Sequence, residues 1–91
     1  MSELDKLENY LKERGIQYER IDEEGIFNRH QILVKDKNGD VIWDAICQLG
    51  SYGYEAGLLE IMGALVRPED SDSVAGWLTA EDIIMRIEGR K

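Results

Sequence analysis

The sequence predicts an α+β fold: a three-stranded antiparallel meander with three helices that lie mainly on one face of the sheet. Helix-capping patterns at Ser2 and Thr79, and an Asn38-Gly39 pair between alternating apolar residues, support this prediction. The predicted element order is α-β-β-β-α-α, and the 91 residues (1–91) are expected to form a single domain.

The first helix is predicted over residues 3–14. Ser2 followed by Asp5 fits the capping-box pattern, and leucines then recur at helical spacing, at positions 4, 7 and 11. Gly15 favours a stop directly after this segment, because helices commonly end at a residue with a left-handed backbone. The leucine spacing therefore predicts an amphipathic helix.

Three strand-like runs follow, over residues 17–22, 29–36 and 40–49. Asn38-Gly39 favours a type I′ turn, whose two central residues both need positive φ. That turn sets the register of the last two runs. On one face the predicted pairs are Val34–Trp43, Ile32–Ala45 and His30–Cys47, and on the other they are Lys35–Ile42, Leu33–Asp44 and Gln31–Ile46.

Two further helices are predicted in the second half of the chain. Apolar residues across 54–66 recur at helical spacing, and Pro68 ends that run. We interpret Gly57 as a packing residue that brings this helix close to another element. The last helix is expected to begin after Thr79, which forms a capping pattern with Asp82.

Composition excludes several classes of protein. The chain is 43% hydrophobic and 33% charged, which is typical of a folded globular domain. Its longest apolar stretch, residues 56–66, is far shorter than the roughly 20 residues that span a bilayer, and no apolar signal-peptide block opens the sequence. One cysteine and one histidine cannot complete a usual zinc site. We therefore expect a cytoplasmic protein with no membrane segment, metal or cofactor.

The charge pattern bears on the choice of partner. The net charge is −8, which disfavours direct binding to nucleic acid phosphates. Residues 38–66 contain no lysine or arginine but include Asp40, Asp44, Glu55 and Glu60. This acidity either serves solubility or forms a face for a basic protein partner.

The Gly50-Ser51-Tyr52-Gly53 turn is a candidate binding element. Glycine-containing turns before a helix can bind anions, but Glu55 would repel a phosphate here and the P-loop lysine is absent. The turn is also explained as a sharp reversal of the chain. Its tyrosines are either core anchors or an exposed recognition patch. The resulting candidate binding residues are Asp40, Asp44, Ser51, Tyr52, Tyr54, Glu55 and Glu60.

His30 and Cys47 form the alternative candidate site. The predicted register places them opposite each other, as in a Cys/His nucleophile pair. No third orienting group is apparent, because Asp44 alternates onto the opposite face. A buried cysteine beside a histidine is also common in protein cores. A small-ligand pocket beneath Tyr52 is a further alternative.

Residues 28–63, "NRHQILVKDKNGDVIWDAICQLGSYGYEAGLLEIMG", resemble small uncharacterised acidic proteins of phages and prophages of Gram-positive bacteria. The resemblance is carried mainly by Trp43-Asp44-Ala45-Ile46 and by residues 50–55. It implies a protein that acts inside a bacterial host cell, and it transfers no catalytic residues. The resemblance also implies a phage-encoded modulator of a host machine, because small acidic phage proteins often occupy basic, nucleic-acid-binding surfaces of their targets.

Together these observations favour a non-enzymatic acidic interaction module, with a basic protein as its partner. A small Cys/His-dependent enzyme and a small-ligand-binding domain are the alternatives. The sequence identifies neither the partner nor an oligomeric state.

Overall fold

The computed structural model describes residues 1–70 and 72–89. These residues form a five-stranded antiparallel sheet with two helices, so the predicted three strands and three helices are wrong. The elements in chain order are α1 (Glu3–Glu13), β1 (Glu19–Glu23), β2 (Arg29–Lys35), β3 (Val41–Cys47), β4 (Leu59–Gly63), β5 (Val74–Leu78) and α2 (Ala80–Ile87). No helix in this part of the chain is long and apolar enough to cross a membrane.

Helix α1 forms as its sequence predicts. The Ser2 hydroxyl accepts from the backbone N–H of Asp5, and the Asp5 carboxylate accepts from the backbone N–H of Ser2, which completes the capping box. Gly15 follows the helix with φ of 68°. The three leucines of the predicted apolar face are buried: Leu4, Leu7 and Leu11.

The β2–β3 hairpin has the predicted register from His30–Cys47 to Val34–Trp43. Its turn differs from the predicted type I′, because Asn38 does not have positive φ whereas Gly39 has φ of 86°. The Asp36 carboxylate organises a wider loop by accepting from the backbone N–H groups of Asn38 and Asp40. A register shift next to this loop pairs Lys35 with Val41, where Ile42 was expected.

The helix predicted over residues 54–66 is wrong. Residues Tyr54–Ala56 form a single 3-10 turn, and β4 follows it. Gly57 and Gly63 have φ of 72° and 94°, which α-helical backbone does not allow. Between them, buried Leu59 and Ile61 alternate with Glu60 and Met62, the period of a strand. Because β4 pairs with β3 on one side and β5 on the other, its backbone polar groups are satisfied without a helix.

Helix α2 begins as predicted, with a capping box between Thr79 and Asp82. The segment before it is a strand, β5, which the sequence did not reveal. The five strands lie in sequence order, so each strand pairs with its neighbour in the chain. Both helices pack on one side of this sheet, which we call the covered face. The buried core between them comprises Leu4, Leu7, Leu11, Ile32, Val34, Trp43, Ala45, Leu59, Ile61, Ala75, Ala80 and Ile83.

Candidate functional site

The second side of the sheet carries no helix, and we call it the open face. Strand alternation places on it the residues that lie between the core positions of β2, β3 and β4. Two of these apolar side chains remain well exposed, Ile42 at 41% and Met62 at 45%. The residues that define the open face are Arg29, Gln31, Leu33, Ile42, Asp44, Ile46, Glu60 and Met62.

A chain of polar contacts crosses the open face from β1 to β3. The Arg29 guanidinium donates to Glu23 Oε1 at 3.0 Å and, through Nε, to Gln31 Oε1 at 2.9 Å. Gln31, only 8% exposed, then donates through Nε2 to Asp44 Oδ2 at 2.7 Å. The buried amide therefore links the arginine to the aspartate without bringing the two charges into contact.

Asp44 is half-buried and has no ion pair with any described lysine or arginine. Burial raises the pKa of the Asp44 carboxyl, and the hydrogen bond from Gln31 opposes that rise. The positive charge of Arg29, which reaches Asp44 only through Gln31, also opposes the rise in pKa without forming an ion pair. A half-buried carboxylate without an ion pair favours the approach of an external cation.

Glu60 is the second carboxylate of the open face, and it is 9% exposed. Its Oε1 accepts from the backbone N–H of Tyr52 at 2.9 Å, so the Gly50–Gly53 turn folds over it. Within the described chain Glu60 also lacks an ion-pair partner. Glu60 lies opposite Ile46, two positions along β3 from Asp44, so the two carboxylates are diagonal neighbours on the same face.

The other predicted binding residues are distributed differently. Ser51 has a structural role, because its hydroxyl bonds to the backbone of Gln48 in both directions. The Tyr54 hydroxyl accepts from the Asn28 side chain at 3.2 Å, toward the β1–β2 loop. Glu55 is exposed in the 3-10 turn that follows the Gly50–Gly53 turn. Asp40 lies in the hairpin loop at the opposite end of β3, roughly 20 Å away along the strand.

A groove of about 520 Å³ continues the open face toward the β1–β2 loop. Ile26 and Phe27 at its rim are 82% and 61% exposed. The backbone N–H of Leu49 donates to the carbonyl of Phe27 at 2.7 Å, which joins this loop to the end of β3. The groove therefore adds exposed apolar surface to the end of the sheet that also holds Tyr52.

His30 and Cys47 lie opposite each other on the covered face, as the register predicts. The structure supplies an orienting group that the sequence did not: Asp22, paired with His30 across β1 and β2, has Oδ1 2.6 Å from His30 Nδ1. However, burial raises the pKa of the Cys47 thiol. A raised pKa reduces the thiolate fraction, which is the nucleophilic form. These residues line a cavity of about 410 Å³ together with Leu4 and Leu59.

Sequence reasoning missed one prominent residue, Trp77, which is 58% exposed in β5. The backbone N–H of Trp77 donates to the carbonyl of Tyr52 at 3.3 Å, and Tyr52 itself is 54% exposed. Exposed aromatic side chains are common at binding surfaces. The available signal was the apolar–polar–apolar alternation of Leu59, Glu60 and Ile61, which is compatible with strand β4 but does not exclude a helix.

The described residues contain no group of three or more histidine, cysteine, aspartate or glutamate side chains arranged to hold a metal ion. Comparison with known proteins gives no match: no family model, no curated protein and no solved structure is similar to this chain. The case for a function therefore rests on the geometry of the open face.

Proposed function

We propose that this protein is a non-enzymatic interaction module that binds a basic protein through the open face. The observation that carries this proposal is the pair of carboxylates, Asp44 and Glu60, which the sheet withdraws from water without an ion pair among the described residues. Both accept hydrogen bonds only from neutral donors, an amide and a backbone N–H. A lysine or arginine of a partner would supply the missing charge.

Apolar contacts next to these carboxylates support the same proposal. Ile42 and Met62 flank Asp44 on the open face and are each more than two-fifths exposed. Their burial under a partner would contribute on the order of 25 cal/mol per Å² of apolar surface removed from water. Protein interfaces commonly combine apolar contacts of this kind with hydrogen-bonded polar groups.

The charge of the whole chain would assist association. The net charge of −8, and the absence of lysine and arginine from residues 38–66, give a negative potential around this side of the sheet. Such a potential steers a basic partner and raises the association rate at low ionic strength. We propose further that the partner is a protein of a bacterial host cell, on the strength of the resemblance to phage and prophage proteins.

The experiment is a capture from bacterial lysate at low salt, followed by elution at high salt. The baits are the parent protein, the double variant Asp44→Asn/Glu60→Gln, and Glu13→Gln as a control that removes an exposed charge from α1. Both open-face substitutions retain an oxygen acceptor for the hydrogen bonds from Gln31 and Tyr52. We expect the parent and Glu13→Gln to release the same basic proteins at high salt, and the double variant to release little of them.

Equal capture by all three baits would contradict the proposal, because nonspecific charge would then explain the binding. Recovery of no salt-released protein by the parent would also contradict it. The folded state of each bait is checked by urea denaturation, so that loss of capture is not confused with unfolding.

A second candidate function, a small enzyme that uses Cys47 and His30, has one favourable observation: the 2.6 Å contact that orients His30 through Asp22. The test is the rate of alkylation of Cys47 by iodoacetamide near neutral pH. The raised thiol pKa leads us to expect slow alkylation in the folded protein, with no dependence on His30. Fast alkylation that falls in His30→Asn would favour the enzyme instead.

A further inference from the structure

Trp77 has a backbone conformation that its side chain disfavours. Between the pairs Leu59–Leu78 and Ile61–Ala75, two residues of β5 lie opposite one residue of β4, which is a β-bulge. Within that bulge Trp77 has φ of 59°. A bulky residue in the left-handed region is strained, and glycine is the residue that relieves this strain.

The packing contacts of the bulge account for its backbone conformation, but they do not require a tryptophan side chain at position 77. Gly76 leaves room for Tyr52, since a Cβ on Gly76 would lie 2.3 Å from Tyr52 Cβ. A Cβ on Gly53 would lie 3.1 Å from Trp77 Cα, so the turn packs directly on the bulge. These are contacts of backbone and Cβ atoms, which a glycine at position 77 would preserve. The tryptophan side chain is 58% exposed and contributes little to them.

The bulge also protects the edge of the sheet, because a bulge twists an edge strand away from pairing with another chain. Edge protection accounts for the extra residue of β5. It does not account for a large aromatic side chain at the strained position. Strain that the fold does not require is a feature of functional sites.

Tyr52 and Trp77 present two exposed aromatic side chains at this edge of the sheet. In the part of the chain that the structure describes, the Tyr52 hydroxyl and the Trp77 indole N–H have no hydrogen-bond partner, and neither ring faces a cation. Their backbones are joined by the hydrogen bond from Trp77 to Tyr52. The two residues are therefore adjacent at this edge, and both are more than half exposed.

The negative charge near Tyr52 and Trp77 favours a cationic side chain as their ligand. Glu60 lies directly below the turn that carries Tyr52, and no lysine or arginine occurs between residues 38 and 66. The faces of tryptophan and tyrosine rings attract cations. Arginine suits such a site better than lysine, since its planar guanidinium stacks on a ring and still donates hydrogen bonds.

We propose that Tyr52 and Trp77 form a recognition site for an arginine side chain of the basic partner. This inference rests on the proposed function, since it specifies which residue the partner presents and where. The arginine stacks on the exposed aromatic rings at the edge of the open face, while further basic residues face Asp44 and Glu60.

The test uses isothermal titration of the purified protein with three peptides of equal length: an arginine–glycine repeat, its lysine counterpart and its citrulline counterpart, which keeps the shape but not the charge. We expect the arginine peptide to bind most tightly and the citrulline peptide not to bind. Trp77→Gly should weaken the arginine peptide about tenfold, equivalent to about 1.4 kcal/mol. The same variant should resist urea as well as or better than the parent, because glycine relieves the strained backbone.

Two control variants distinguish an arginine that stacks on the rings from an apolar ligand. Trp77→Leu retains an apolar side chain but no ring, so it should lose as much affinity as Trp77→Gly. Val41→Ala removes an apolar side chain that is 50% exposed at the hairpin end of β3, outside the open face, and should leave affinity unchanged. Full affinity in Trp77→Leu would overturn the proposal in favour of an apolar occupant.

The failure of this inference is distinguishable from the failure of the proposed function. If Asp44→Asn/Glu60→Gln weakens the arginine peptide but Trp77→Gly and Tyr52→Ser do not, the open face binds basic partners and the aromatic site is wrong. If the parent binds none of the three peptides, both proposals are contradicted.

Discussion

Two carboxylates on the covered side of the sheet and two on the open face differ in their partners. On the covered side, Asp70 lies 2.8 Å from the Arg86 guanidinium and Glu8 lies 3.0 Å from that of Arg20. On the open face, Asp44 and Glu60 accept only from neutral donors. Asp70 and Glu8 are thus neutralised within the fold, whereas Asp44 and Glu60 have no ion pair among the described residues. This difference is why we assign stability to one face and binding to the other.

The largest expected effect comes from neighbouring residues of β4 that point to opposite faces. Ile61 is fully buried on the covered face, and Met62 is 45% exposed on the open face. Ile61→Ala should lower the free energy of unfolding by about 2–5 kcal/mol, as expected for a core cavity. Met62→Ala should lower it by less than about 1 kcal/mol and should weaken binding of the basic partner. Urea denaturation and titration measure the two effects.

Similar losses of stability in Ile61→Ala and Met62→Ala would contradict the proposed difference between the covered and open faces. It would mean that the open face is packed as tightly as the covered one.

The glycines at the ends of β4 give the next largest effect. A Cβ on Gly63 would lie 2.5 Å from the Ile42 carbonyl oxygen, whereas nothing lies within 4 Å of a Cβ on Gly57. Gly63→Ala should therefore cost more than about 2 kcal/mol, from the clash and the left-handed backbone together. Gly57→Ala carries only the conformational cost, about 1 kcal/mol. Chemical denaturation of the two variants should show this order, and the reverse order would contradict it.

These glycines also explain why the helix predicted over residues 54–66 is wrong. The apolar residues of 54–66 fit both a helical period and the alternation of β4. The positive φ of Gly57 and Gly63 decides between the two, and glycine in a sequence does not reveal its φ. The interpretation of Gly57 as a close-packing residue is accordingly wrong, because the space around it is open.

Local signals were sufficient for other elements. Both capping boxes were predicted correctly, since each depends on residues three positions apart. The β2–β3 register followed from the short loop at Asn38-Gly39. The contact between Asp22 and His30 depends on the register of β1 against β2, which no short turn signal fixes. The bulge at Trp77 depends on the pairing of β5 with β4, so a sequence interpretation that makes residues 54–66 a helix does not predict it.

The pH dependence of stability should distinguish the carboxylates of the two sides. The Arg86 guanidinium lowers the pKa of Asp70 from 3.8 to about 2. Because the folded pKa lies below the unfolded value, the stabilisation is complete above about pH 4 and is lost as the pH falls toward 2. Asp70→Asn should remove about 1–2 kcal/mol above pH 4 and little at pH 2. Thermal denaturation across this range measures the difference.

Asp44 should show the opposite slope, with the smallest effect. Its pKa is raised by burial, so the folded state takes up a proton more readily than the unfolded state. Stability contributed by Asp44 therefore increases as the pH falls through its folded pKa. The difference in stability between the parent and Asp44→Asn should shift in favour of the parent on acidification from neutral pH, by less than about 1 kcal/mol. A shift in the other direction would mean that Asp44 has a cation partner in solution.

The central claim is that the open face is the binding surface, and an NMR titration of isotope-labelled protein with the arginine–glycine peptide tests it most directly. We predict that the amide resonances that shift with added peptide belong to the open face and its edge, at Asp44, Glu60, Met62, Tyr52 and Trp77. Resonances of the two helices should remain unchanged. Shifts confined to α1 and α2, or no shifts at all at low salt, would contradict the account.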